Sequence, residues 1–210
     1  TGGYSFWVEN TVPLLHNLNT GEGKQQYGLE DEPVLDNVNF VQFHNLPGDD
    51  ASCLNLNQVQ SPQILGIPSN KFDSLNAFSF SSLYSNYSSP WLELNKDYGS
   101  GVIPAFADQT VIQWGLLKSV GDTLLYTNES GQKIKLLLIG GLSSSVFQGN
   151  ILISDSAFIA NFPSSSGSEI MLVDIQGDNS KEVENLLTNQ LVDYGVDISS
   201  ASERLAGFYS

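Results

Sequence analysis

The alternation of apolar and polar positions is clearest between Thr123 and Ile139. Thr123–Thr127 and Lys133–Ile139 are β-prone runs around a polar turn, Asn128 to Gly131, and this order predicts a β-hairpin. Lys133 and Lys135 alternate with Ile134 and Leu136, so the second strand starts with one wet face. Gly140-Gly141 is expected to break that strand, and Ile151-Leu152-Ile153 to form a further one. Upstream, Val102–Phe106 is a short apolar run. Asp108 then stands as the N-cap of a short helix, with Val111, Ile112 and Trp114 on one face and Gly115 as terminator.

The period changes near the C-terminus. Val183, Leu186, Leu187, Leu191 and Tyr194 repeat at helical spacing, after Asn179 and a Glu182 placed for a capping box, and before Gly195. Ile170–Ile175 is near-continuously apolar, the signature of a strand covered on both faces. Val196–Ile198 predicts a short strand and Ala201–Tyr209 a helix. Tyr4, Phe6 and Val8 open the chain in strand alternation, and Pro13 marks an edge or a bulge. A strand follows at 38–43, after a polar loop from Asn17 to Gly28. Leu46–Asp50 reads as a turn, and 51–56 and 62–68 bracket a connecting region. Asp155 is expected to cap a helix from Ser156 to Phe162, and Ser164–Ser168 reads as a hinge. The expected fold class is α+β. Residues 1–95 and 168–210 would form an α/β layer, with 96–167 inserted as a smaller β-rich subdomain.

Composition narrows the partners. The 210 residues carry 23 acidic and 8 basic side chains, a net charge of −15. Nucleic acid and anionic lipid are therefore disfavoured, since both are held by Lys and Arg contacts to phosphate. No apolar run is long enough to cross a bilayer and no signal-peptide pattern opens the chain; Thr1-Gly2-Gly3 reads as a cut edge. A single cysteine, Cys53, leaves no internal disulfide.

Candidate chemistry is sparse. Cys53 with His16 or His44 lacks a nucleophile signature, and these three supply too few nitrogen and sulfur ligands for zinc. Asp49-Asp50 is a carboxylate pair in a turn, where adjacent side chains point apart. Glu30-Asp31-Glu32 reads as a solvated turn rather than a calcium site. Gly2-Gly3 and Gly140-Gly141 lack the spacing that cradles phosphate. The aromatic, Ser- and Asn-rich stretch from Phe72 to Trp91 is read as packing, with a sugar-binding platform as its sharper alternative. No catalytic, cofactor-binding or metal residue is assigned, and ligand-binding residues are unknown.

Several phrases carry a resemblance. Leu46-Pro47-Gly48-Asp49-Asp50-Ala51-Ser52-Cys53-Leu54-Asn55-Leu56 precedes Pro62-Gln63-Ile64-Leu65-Gly66-Ile67-Pro68. Ala107–Leu116, Val120-Gly121-Asp122-Thr123, Leu138–Leu142, Ser145–Gly149, Ile151–Ser154 and Glu203–Tyr209 follow. Together these resemble the extracytoplasmic domain of FtsX-like, or MacB-type, ABC transporter permeases. The resemblance implies a domain lying between two transmembrane helices, on the periplasmic face of the inner membrane. It implies a porter-like α/β subdomain with an inserted smaller one, and neither catalytic residues nor a cofactor. The implied partners are the permease's own membrane helices, a cytoplasmic ATPase subunit, and an adaptor or lipoprotein; the isolated domain would be monomeric. The alternative is a secreted carbohydrate-binding or accessory module using Phe72–Trp91.

Overall fold

The computed structural model describes residues 2–48 and 61–207. In chain order the strands are β1 (Phe6–Leu14), β2 (Val38–Leu46), β3 (Gln63–Ile67), β4 (Phe80–Leu83) and β5 (Val102–Asp108). They continue with β6 (Thr123–Thr127), β7 (Lys133–Leu142), β8 (Asn150–Ser154), β9 (Ser168–Ile175) and β10 (Asp197–Ser200). The helices are α1 (Gly21–Gln25), α2 (Ser69–Ser74), α3 (Pro90–Glu93), α4 (Asp155–Asn161), α5 (Ser180–Gln190) and α6 (Ala201–Gly207). Strands and helices mix as an α+β fold. Contacts divide the chain into two units, Gly3–His44 with Ser166–Ser210, and Asn45–Ser165.

In the first unit the strands run β10-β1-β9-β2, every neighbour antiparallel. Phe6, Val8, Phe40, Met171 and Val173 meet Val183 and Leu187 of α5 and its C-cap Leu191 in one core, closed by Leu18, Tyr27, Leu29 and Leu35. The helical repeat near the C-terminus thus packs as its spacing predicts. Its first turn does not. Asn179 occupies the N-cap position without a capping hydrogen bond, and its Nδ2 instead donates to the Val34 carbonyl at 3.2 Å. Gly195 ends the following 3₁₀ turn in the left-handed region, φ 65°. The register of β1 on β9 shifts between Glu9 and Leu14, around Pro13, which cannot donate to a ladder. Trp7 is as buried as Phe6 and Val8, so the opening strand is covered on both faces.

In the second unit β3 runs parallel to β8, β8 antiparallel to β5, and β5 parallel to β7. On its other side β7 takes β6 along Lys133–Leu137 and β4 along Gly140–Leu142, both antiparallel. The β6–β7 hairpin pairs Thr127 with Lys133 and Thr123 with Leu137. In its turn, Asn128 Oδ1 accepts from Ser130 Oγ (2.9 Å) and the Gln132 N–H (2.8 Å). Ile134 and Leu136 are buried, Lys133 and Lys135 exposed.

The described residues among 45–95 fall in this unit, although the sequence expectation groups 1–95 with the α/β layer. The reason is β-pairing across long gaps: Gln63–Ile67, expected only to border a connecting region, lies along β8, and Phe80–Leu83 along β7. Two further expectations are corrected. The strand does not break at Gly140-Gly141 but runs to Leu142, and these glycines are there because their neighbours leave no room for a Cβ. A Cβ on Gly140 would lie 2.8 Å from the Phe106 ring, and one on Gly141 would meet the Gln109 side chain. The α4 cap is Ser154, whose Oγ accepts from the Ala157 N–H at 3.1 Å, while Asp155 sits in the first turn where the helix dipole favours a carboxylate.

Gly66 of β3 meets the same constraint from a helix. An added Cβ would lie 2.7 Å from Phe158 Cβ and 3.0 Å from Asp155 Oδ1, both on α4. Phe158 Cβ cannot retreat without moving the helix backbone. Gly66→Ala is therefore expected to lower stability by about 2 kcal/mol, read as a lower urea midpoint at unchanged slope. A neutral or stabilising result would mean that α4 yields freely.

Candidate interaction surfaces

Asp108 is fully buried at the end of β5, not on the surface as a helix cap. Its Oδ1 accepts from the Thr110 N–H (3.0 Å) and Thr110 Oγ1 (2.6 Å); its Oδ2 accepts from the Ser145 N–H (2.9 Å) and Ser145 Oγ (3.1 Å). Ser145 Oγ accepts in turn from the Phe147 N–H at 3.2 Å. One carboxylate thus ties β5 to the β7–β8 loop and fixes the start of the next segment.

That segment, Val111–Gly115, is a single π-type turn rather than an amphipathic helix. Ile112 and Leu116 root it in the core, but Trp114 does not share their face: it is 72% exposed, and Leu117 is 81% exposed. Leu117 adopts φ 54°, a conformation that a branched side chain reaches only at a cost. The result is a fixed apolar knob, and π turns of this kind recur at functional positions. Sequence spacing missed it because the period of 3.6 predicts the wrong face for a wider turn.

A second surface follows the free edge of β4. A groove of about 540 Å³ is lined by Phe80–Leu83 and Ser85–Ser88, with hydroxyls, an amide and Tyr87 along it. Among the described residues of the second unit β4 pairs only with β7, so its other edge can receive an extended chain. Burial, together with hydrogen bonding to Tyr87 and Glu93, pushes the Tyr98 hydroxyl above its ordinary range, so that phenol stays neutral.

Of the residues weighed for chemistry, the structure describes His16, His44 and the Glu30–Glu32 turn. His16 is exposed after β1, its N–H donating to the Tyr27 hydroxyl at 3.1 Å, whereas His44 is half-buried in β2. Asp49-Asp50 and Cys53 lie outside the described residues. Asp31 and Glu30 are exposed beside a shallow groove that Asp36 and Lys24 also line. Among the described residues no group of three or more His, Cys, Asp or Glu side chains could hold a metal ion, and no helix is long and apolar enough to cross a membrane.

Phe72, Phe80 and Trp91 of the aromatic stretch are packing, whereas Tyr84 is exposed. Trp91 is 2% exposed, with Phe72, Phe80 and Phe106 at ring-centroid distances of 5.1, 5.3 and 5.3 Å, and its indole N–H donates to the Ala77 carbonyl at 2.8 Å.

In the first unit, Arg204 of α6 lies 3.9 Å above the centroid of the Trp7 ring. The Trp7 indole donates to Glu9 Oε1 at 2.9 Å, and the same oxygen lies 3.9 Å from an Arg204 nitrogen. Burial lowers the Arg204 pKa from its ordinary value and the Glu9 charge works against that. A guanidinium stays protonated throughout the ordinary pH range.

No protein-family model matches the chain, and no curated protein does. Among solved structures, the periplasmic region of MacB from Actinobacillus actinomycetemcomitans aligns over 100% of this chain and 94% of its own, at 13% identity and a TM-score of 0.47. The extracellular domain of the noncanonic ABC-type transporter YknZ from Gram-positive bacteria aligns over 93% of this chain and 99% of its own, at 10% identity and a TM-score of 0.39. The chain is similar to these two extracytoplasmic transporter domains.

Proposed function

We propose that this chain is a soluble extracytoplasmic domain of an ABC transporter permease. It performs no catalysis of its own; it passes on motion driven by a cytoplasmic ATPase and contacts substrate or partner proteins outside the membrane. The observation that carries this reading is the run of permease-like phrases from Leu46 to Tyr209. Many of them fall on elements of the second unit: Gln63–Ile67 is β3, Leu138–Leu142 ends β7 and Ile151–Ser154 lies in β8. The architecture is compatible with it, since the second unit is an insertion between β2 and β9, which pair with each other. The Trp114–Leu117 knob and the β4 groove are the partner-facing surfaces in this reading. The carbohydrate-binding alternative loses Trp91 and Phe72, which are core residues, and would rest on the exposed Tyr84 and on Tyr87 in the groove.

The test is made in the native host, with an epitope tag in the Ser164–Ser168 segment. The reading expects the tag in the membrane fraction, released only by detergent, open to protease added outside the inner membrane, and co-purifying with an ATP-hydrolysing subunit. Recovery of the tagged protein from the growth medium or the soluble periplasm without detergent would sink it.

A further inference from the structure

Among the described residues, helix α6 makes little apolar contact with the rest of the first unit. Of its seven residues only Ala201 is buried. Arg204 and Leu205 are half-buried, and Ser202, Glu203, Ala206 and Gly207 are exposed. A helix this short has no stability in isolation, because nucleation costs more than two turns of hydrogen bonds return. Its first turn is anchored: the Ala201 N–H donates to the Ser5 carbonyl at 2.9 Å, and Ser200 Oγ accepts from the Glu203 N–H at 3.0 Å. Beyond that turn, Arg204 stacks on Trp7, with the Arg204 side chain 19% exposed and Trp7 1% exposed. A guanidinium over a desolvated indole is a favourable arrangement, and Glu9 fixes both partners, accepting from the indole and facing the cation.

We propose that Arg204 is a latch: α6 exchanges between a docked state, with the guanidinium on Trp7 of β1, and a released state, and this stack sets the balance between them. Release is local, because α6 contributes almost nothing to the core formed by β1, β9, β2 and α5. The latch joins the beginning of the sheet to the last described helix, in contact though nearly two hundred residues apart in sequence. Its use for passing displacement of α6 to β1 rests on the permease reading; the two-state behaviour of α6 does not, and is tested without it.

The experiment is backbone hydrogen exchange followed by mass spectrometry on the whole chain, unaltered and as Arg204→Ala and Arg204→Lys. Arg204→Ala is expected to raise exchange across 201–207 about ten-fold, with β9 and α5 unchanged. Arg204→Lys is expected to release α6 too, since an ammonium has no plane to lay on the indole. In a Trp114→Phe background, which removes the exposed indole, acrylamide quenching of the remaining tryptophans should rise with Arg204→Ala. Unchanged exchange over 201–207 in Arg204→Ala would overturn the latch. So would an equal rise over β9 and α5, which would make Arg204 an ordinary contributor to global stability. Full protection in Arg204→Lys would also overturn it, by assigning the hold to charge on Glu9 instead of the stack.

Discussion

Asp108→Ala is expected to destabilise the second unit by about 3 kcal/mol, because it strands donors that the buried carboxylate alone satisfies. Four hydrogen bonds converge on Asp108, two from Thr110 and two from Ser145. Charge-assisted bonds contribute about 1.5–3 kcal/mol each, but removing the carboxylate also removes the cost of burying it, so the sum is far from additive. What remains is the Ser145 N–H, in a residue with no exposed surface, and the loosened start of the Val111–Gly115 turn. Asp108→Asn keeps the shape and one acceptor but points an NH₂ at a pair of donors, so it is expected to lose about 2 kcal/mol. Urea unfolding at constant slope measures both. Hydrogen exchange should show the larger opening at 109–118 and 143–147. A loss below about 1 kcal/mol for Asp108→Ala would mean that other groups satisfy these donors.

Asp108 also shows which physical information a sequence carries locally. Aspartate before a polar turn reads as a helix cap, and half of that reading is real: the Thr110 N–H is bonded two residues on. The other half is Ser145, 37 positions away, and nothing near Asp108 announces it. The same distinction runs through the fold. The β6–β7 hairpin was legible because its partners are adjacent and one face is wet, so alternation survives in Lys133–Leu136. The α5 helix was legible because Val183, Leu187 and Leu191 face a single core. β3 was not. Ile64, Leu65 and Ile67 are all fully buried, so no alternation remains, and its partner β8 is parallel and far along the chain. Two prolines beside it, Pro62 and Pro68, strengthen the appearance of a loop. The grouping of 45–95 with the α/β layer follows from that omission, since without β3 and β4 nothing ties those residues to the central strands. The latch was equally hidden: Trp7 and Arg204 each look ordinary until β1 and α6 are side by side.

Trp91→Ala is expected to be the most damaging of these substitutions, at about 4 kcal/mol, and it would damage the fold rather than a binding function. The indole packs edge-on or tilted against Phe72, Phe80 and Phe106 and is 2% exposed, so truncation leaves a cavity that rigid neighbouring rings cannot fill. The Ala77 carbonyl also loses its donor, which adds about 1 kcal/mol to the transfer term if no water enters. Trp91→Phe keeps much of the ring contact and loses mainly the N–H, so about half of the cost should return. Thermal unfolding and the near-ultraviolet circular dichroism of the packed aromatic cluster are the measurements. A sugar platform would behave in the opposite way: its tryptophan would be exposed, and Trp91→Ala would abolish glycan binding while leaving the melting temperature within a degree or two. A stable Trp91→Ala variant would therefore overturn the packing of the whole Phe72–Trp91 segment. A strongly destabilised one would leave the exposed Trp114, whose replacement should cost the fold little, as the tryptophan available to a partner.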